Sequence, residues 1–255
     1  MNFVAKYSIV REIWGSSDTL LFIFAGAAAE FSLNKSIDWL YFTGKLPKDP
    51  IGRLFSTVNY SQDILFSDQE TANKTIDKMV KIHGQVENAR GMKIPEWAFR
   101  DVLYMLIYYS IAAFELLQRK LNLQEKEEVF DVFYRLGQRM KLEALPNTYS
   151  DWLISRKEHL ESNLVKSDLS IDLYGQYKRS LGPLRYWLLL EAQKGMMPIS
   201  VRALLGFARP ISIFPMIAAY RVTKFLSLSN YLLKMLLPAV YTQRIMDLNT
   251  PEIKG

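Results

Sequence analysis

Only two histidines and no cysteine occur in the 255 residues, so a metal held by side chains would depend on very few donors. One of them, His83, lies in a stripe with Ala72, Ile76, Met79, Val80 and Val86, which recur at helical spacing and share one face. An imidazole among apolar neighbours must find a hydrogen-bond partner, bind a metal or carry the cost of desolvation. Thirty residues upstream, Arg53, Thr57, Tyr60 and Ile64 stand at intervals of four, three and four and line one face of a second helix. Arginine stays charged, so on such a face it needs an anion, either a carboxylate of the chain or an acidic group of a ligand. Thr57, one turn from Arg53, can hydrogen-bond a ligand, a water or its own backbone.

Other chemistries find little footing. The second histidine, His159, sits in the charged run Ser155 to Glu161 and reads as a surface residue. Neither histidine has Glu three residues before it, as di-iron carboxylate helices require, and no His-Glu-x-x-His zinc helix is present. Gly-rich phosphate loops and a Gly-x-Ser-x-Gly nucleophile turn are missing. Without cysteine, disulfides, Fe–S clusters, thiolate-ligated haem and covalent haem attachment are excluded. Glu30 and Glu115, embedded in apolar helical segments, remain as buried acids: each is either a general base or an ion-pair partner, for instance of Arg53.

The elements that must position these residues are helical throughout. Ser16 or Ser17 caps an Ala-rich helix over Leu20–Phe31, and Asp49-Pro50 starts another that runs to about Phe66. Ser67 and Glu70 predict a capping box opening a helix from Asp68 to near Asn88. Pro95 introduces a helix over Glu96–Leu121 that is apolar on every side, the mark of a central bundle helix. Asn122 and Glu125 cap its successor, and a further helix spans Tyr149–Val165. Beyond Ser167, prolines 183, 198, 210, 215 and 238 divide the chain into short helices mixing basic and apolar residues. No segment shows the alternation of a strand. The expected fold is all-α, a globin-like bundle with a helical appendage over residues 166–255 packed on the core.

The net charge of +6 is unevenly placed. Residues 176–255 hold eleven Lys/Arg against three Asp/Glu, a net +8, whereas the rest holds 21 against 23, a net −2. Basic residues such as Arg202, Arg209 and Lys224 alternate with apolar ones there, which fits an anionic membrane surface better than nucleic acid. A solvated basic face over the core is the competing reading. Met1 to Gly15 shows no secretory signal. The longest charge-free apolar runs, Thr19–Ala29 and Val102–Phe114, are too short to span a bilayer. A cytoplasmic protein, soluble or membrane-peripheral, is expected.

Several of these segments together resemble one family. Trp14-Gly15-Ser16-Ser17-Asp18, Asp49-Pro50-x-x-Arg53-Leu54-x-x-Thr57-x-x-Tyr60, His83-x-x-Val86, Pro95-Glu96-Trp97-Ala98 and Pro146-Asn147-Thr148-Tyr149 resemble the rubber oxygenase (latex clearing protein) and MpaB-like haem oxygenases. The likeness covers roughly residues 10–165. It implies a helical domain that holds b-type haem, with His83 as iron ligand and Arg53, Thr57 and Tyr60 lining the cofactor. The implied reaction uses dioxygen to cleave a carbon–carbon double bond of an apolar, isoprenoid or prenylated substrate. As a buried acid, Glu30 is the expected carboxylate to take an allylic proton in such a reaction. Ser56 stands where rubber-cleaving relatives carry lysine, which implies an open or water-ligated distal position. Ala25-Gly26-Ala27-Ala28 replaces a His-Pro pair of many relatives. A haem sensor or carrier without turnover, and a haem-free membrane-peripheral protein, are the alternatives.

Overall fold

Capping chemistry sets most of the helix starts, and with them the direction in which each helix presents its polar residues. The computed structural model describes residues 1–44, 48–210 and 213–225 of the chain. Along it run α1 (Ile9–Trp14), α2 (Ser17–Phe31), α3 (Ile37–Phe42), α4 (Pro50–Leu65), α5 (Gln69–Arg90) and α6 (Glu96–Leu117). Then come α7 (Leu123–Arg139), α8 (Tyr149–Ser162), α9 (Asp168–Met196), α10 (Ile199–Leu205) and α11 (Ile213–Phe225). The fold is all-α; among the described residues no strand forms, and β pairing is confined to the single bridges Asn2–Asp68 and Asn34–Leu164.

Asp49 caps α4 through Gly52 N–H, with Pro50 at the position where a missing donor costs nothing. Asn122 and Glu125 form the expected capping box of α7. At α5 the cap falls one residue later than the sequence suggested. Asp68, not Ser67, accepts the N–H groups of Glu70 and Thr71, because a carboxylate outcompetes a hydroxyl for exposed helix donors. Two helices end earlier than expected, α6 at Leu117 and α8 at Ser162.

The central helix is α6, buried on all sides through Leu103, Tyr104, Met105, Ile107, Tyr109, Ile111 and Phe114. It packs on α2, α7, α8, α9 and α11. Against α2 the approach is close: a Cβ on Gly26 would fall 2.2 Å from the Tyr109 ring, so only glycine lets these two helices meet as they do. A buried hydrogen bond of 3.0 Å from Trp14 Nε1 to Ser110 Oγ ties α1 to the same helix.

α9 departs from the expected short pieces. Its 29 residues are helical on both sides of Gly182, whose φ of 73° breaks the direction just before Pro183. The second half folds back on the first, because the Tyr174 hydroxyl donates to Gln193 Oε1 at 3.0 Å although nineteen residues separate them. Gln193 in turn donates to the Ala25 carbonyl of α2. Leu173, Tyr177, Leu181, Ala192 and Met196 join the core built by α1 to α8. Pro238, Lys234 and the remainder of the basic C-terminal stretch past residue 225 lie outside the described residues. No helix among the described residues is long and apolar enough to cross a membrane.

Candidate functional site

α4 and α5 pack on one another, and Arg53 of one lies near enough to His83 of the other for its charge to act on the imidazole. The Arg53 guanidinium donates from Nη1 to Thr57 Oγ1 at 3.2 Å, one helical turn along. Thr57 Oγ1 lies 3.4 Å from the Arg53 carbonyl and returns its proton there. Tyr60, a further turn on, is close enough to act on the Arg53 charge. Burial pulls the Arg53 guanidinium below its ordinary value, and Tyr60 only partly offsets that.

His83 is half-buried and packs edge-to-face on Phe99 of α6, with ring centroids 5.1 Å apart. Its Nδ1 is buried and makes no hydrogen bond. The carboxylate one turn away does not help: Glu87 accepts from Lys93 Nζ and from the Ile94 N–H, both at 2.9 Å. Burial lowers the imidazole pKa, the Arg53 charge lowers it further, and Glu87 only partly counters them. At neutral pH the ring is therefore uncharged, with a lone pair to offer. Farther along the same face of α5, Arg90 stacks 4.1 Å from the Trp39 ring and pairs with Asp38 at 2.5 Å, anchoring the helix end to α3. The side chains of Leu54, Phe55, Ser56 and Val58 lie outside the described residues, and with them the distal position inferred from Ser56.

Glu30 stands in a separate cluster. Its Oε1 and Oε2 accept from Arg156 Nη1 and Nη2, both at 2.5 Å, and the Tyr109 hydroxyl donates to Oε2 at 3.1 Å. The pair is almost fully buried, with side chains 2 % and 6 % exposed. Burial disfavours the Arg156 charge, but Glu30 outweighs it and holds the guanidinium above its ordinary value. Burial also pushes the Tyr109 phenol well up, and the Glu30 carboxylate adds to the effect. The ion-pair partner of Glu30 is Arg156 and not Arg53. Glu115 is likewise paired, with Lys120 and Lys126.

One turn from Arg156, His159 is not the surface residue its charged neighbours suggested. Its Nδ1 meets Asp101 Oδ1, and its ring lies 4.9 Å from that of Tyr104. Asn34 Nδ2 at 2.7 Å and Asn163 Nδ2 at 3.1 Å complete the shell of Asp101 Oδ2. Trp152, Arg156, His159 and Asn163 recur at intervals of four, three and four, so the inward face of α8 carries its polar groups among the aromatics.

A family model described as "ER-bound oxygenase mpaB/B'/Rubber oxygenase, catalytic domain" matches residues 18–224. The chain belongs to this family. Neither the curated proteins nor the solved structures yielded a match. The family match includes α2 through nearly all of α11, and so runs well past residue 165, where the resemblance in the sequence ended. Within this oxygenase-family domain, the structure brings Arg53, Thr57, Tyr60 and His83 together and leaves Glu30 in the α2–α6–α8 cluster. Phe99 was missed in the sequence, although it directly follows the Pro95-Glu96-Trp97-Ala98 segment.

Proposed function

We propose that this chain is a haem b-dependent oxygenase in which His83 supplies the iron ligand. The observation that carries the reading is the His83 imidazole itself: its Nδ1 is buried without a hydrogen-bond partner, and burial and the Arg53 charge lower its pKa, in a domain that belongs to an oxygenase family. Several buried polar atoms of the described residues lack a partner, but His83 Nδ1 is the one nitrogen among them whose lone pair can bind a metal. The donor set fits a tetrapyrrole better than a bare ion. Among the described residues no group of three or more His, Asp or Glu is placed to share a metal, whereas porphyrin brings four nitrogens and needs one more donor from the chain.

In this proposal His83 would hold the haem iron, and the Arg53 guanidinium, partly buried, would pair with a propionate. Thr57 holds Arg53 in place through Nη1 and keeps its own hydroxyl proton on the backbone. Tyr60 lines the same face. When bound, haem supplies the iron chemistry that turns dioxygen against an electron-rich alkene. The overall reaction adds both oxygen atoms across one carbon–carbon double bond and yields two carbonyl products. An apolar, isoprenoid or prenylated substrate agrees with the rubber oxygenases in the family description. The Glu30 carboxylate has both oxygens engaged by Arg156 and accepts from Tyr109 as well, an arrangement that suits a helix-joining ion pair and not a proton acceptor.

Oxygen uptake by haem-reconstituted protein tests the activity. With a soluble isoprenoid alkene, uptake should match carbonyl formation at one dioxygen per double bond, and Arg53→Gln should weaken haem retention. Haem binding without any alkene-dependent uptake would reduce the reading to a carrier; failure to bind haem would end it.

A further inference from the structure

We infer that the helical hairpin of α9 docks on an anionic lipid surface through its tip. The reversal at Gly182 forms the tip of the hairpin, with Lys178, Arg179 and Ser180 exposed before it and Pro183, Leu184 and Trp187 exposed after it, while Leu181 is buried in the core. Leu184 and Trp187 are 61 % and 43 % exposed and lie one turn apart on one helix face. Four of the five tryptophans are otherwise accounted for: Trp14, Trp39 and Trp152 are buried and Trp97 is partly so. Among the described residues, the two large apolar side chains Leu184 and Trp187 are left substantially exposed.

Charge selects the occupant. Between Leu173 and Leu190 there are three basic residues and no acidic one. Arg179 makes only a loose, exposed contact with Asp172 at 3.8 Å, which contributes little and leaves its charge effective toward solvent. A lipid headgroup layer offers what this tip can use: anionic phosphates for Lys178 and Arg179, and an amphipathic boundary where an indole and a leucine can insert together. Nucleic acid would satisfy the cations and leave Leu184 in water. The wider region, with its net +8 over residues 176–255, has the same sign and adds long-range attraction. The α9 stretch also packs on α4, the helix that carries Arg53 and Thr57. Docking at its tip therefore anchors the protein through a neighbour of the candidate site, and it does so whether or not haem is bound.

The test uses the full chain with phosphatidylcholine vesicles, with and without phosphatidylserine, and acyl chains brominated to quench tryptophan. The chain should float with the phosphatidylserine vesicles and lose this binding at high salt. Its emission should be quenched by brominated lipid, and Trp187→Phe should remove that quenching while flotation persists. Lys178→Gln with Arg179→Gln should weaken partitioning about 25-fold, at about fivefold per cation. Quenching that survives in Trp187→Phe, equal binding to neutral vesicles, or partitioning indifferent to both cations would overturn the inference. Wild-type quenching is read without any variant, so a substitution that failed to fold would not shield it.

Discussion

The two histidines of this chain occupy opposite kinds of site. His159 is locked: its Nδ1 meets Asp101, which Asn34 and Asn163 also bind, and the neighbouring Arg156 is held by both oxygens of Glu30. His83 has a buried nitrogen with nothing on it, a cation nearby, and an adjacent carboxylate committed to Lys93. The α8 cluster is bonded at the groups that carry charge, although Arg156 Nε and Trp152 Nε1 stay without a partner; His83 Nδ1 differs in being a lone-pair nitrogen, able to bind a metal and not only to donate. The charged run around His159 suggested a surface residue, so charge along the sequence is a poor guide to burial on a helix.

Substitutions should separate the two regions by the size and kind of their effects. Arg156→Leu strands the Glu30 carboxylate in the core and should cost about 3–5 kcal/mol, read as a lower urea midpoint, because breaking one side of a buried pair leaves an uncompensated charge. A midpoint within about 1 kcal/mol of wild type would mean that Glu30 reaches water. His159→Leu, which leaves Asp101 with only its asparagine donors, should cost about 1–3 kcal/mol. Neither change should alter haem affinity in protein that remains folded.

At His83 the signature is pH. Its pKa lies below the ordinary value near 6.5, so between the two values the unfolded chain binds more protons than the native one. Stability therefore rises with pH in that window and is lost as pH falls below about 6.5, at no more than about 1.4 kcal/mol per pH unit. Haem-free His83→Gln should show a flatter profile than haem-free wild type from pH 7 to 5; parallel profiles would contradict the burial of the neutral ring. The smallest effect belongs to His83→Leu at pH 7, which should change stability by less than about 1 kcal/mol, since no hydrogen bond of Nδ1 is lost. A large loss there would show His83 to be a structural member of the core.

Local chemistry was readable where it is short-range. Asp49-Pro50 and the Asn122 capping box fall where their residue types predict, and the 3.6-residue recurrence of Ala72, Ile76, Met79 and His83 marks the inward face of α5. Arg53 and Thr57 follow from the same logic, being one turn apart on one helix. The α8 cluster was obscured because its charged residues were read as a run and not as a wheel: Lys157, Glu158 and Glu161 are exposed while Arg156 and His159 face inward. Their partners Glu30 and Asp101 are 126 and 58 residues away, and nothing in a single chain announces such pairings. The reversal of α9 is hidden in the sequence for a different reason. Pro183 was legible as a break, but the return of the second half depends on a positive φ at Gly182 and on Gln193 reaching Tyr174 and α2.

Ligation of haem iron by the His83 imidazole can be probed with exogenous imidazole. Haem-reconstituted wild type should show the absorption spectrum of an imidazole-ligated iron porphyrin, His83→Gly should lose it, and added imidazole should restore it by filling the cavity the substitution leaves. A His83→Gly protein that binds haem with the wild-type spectrum and no response to imidazole would contradict the account.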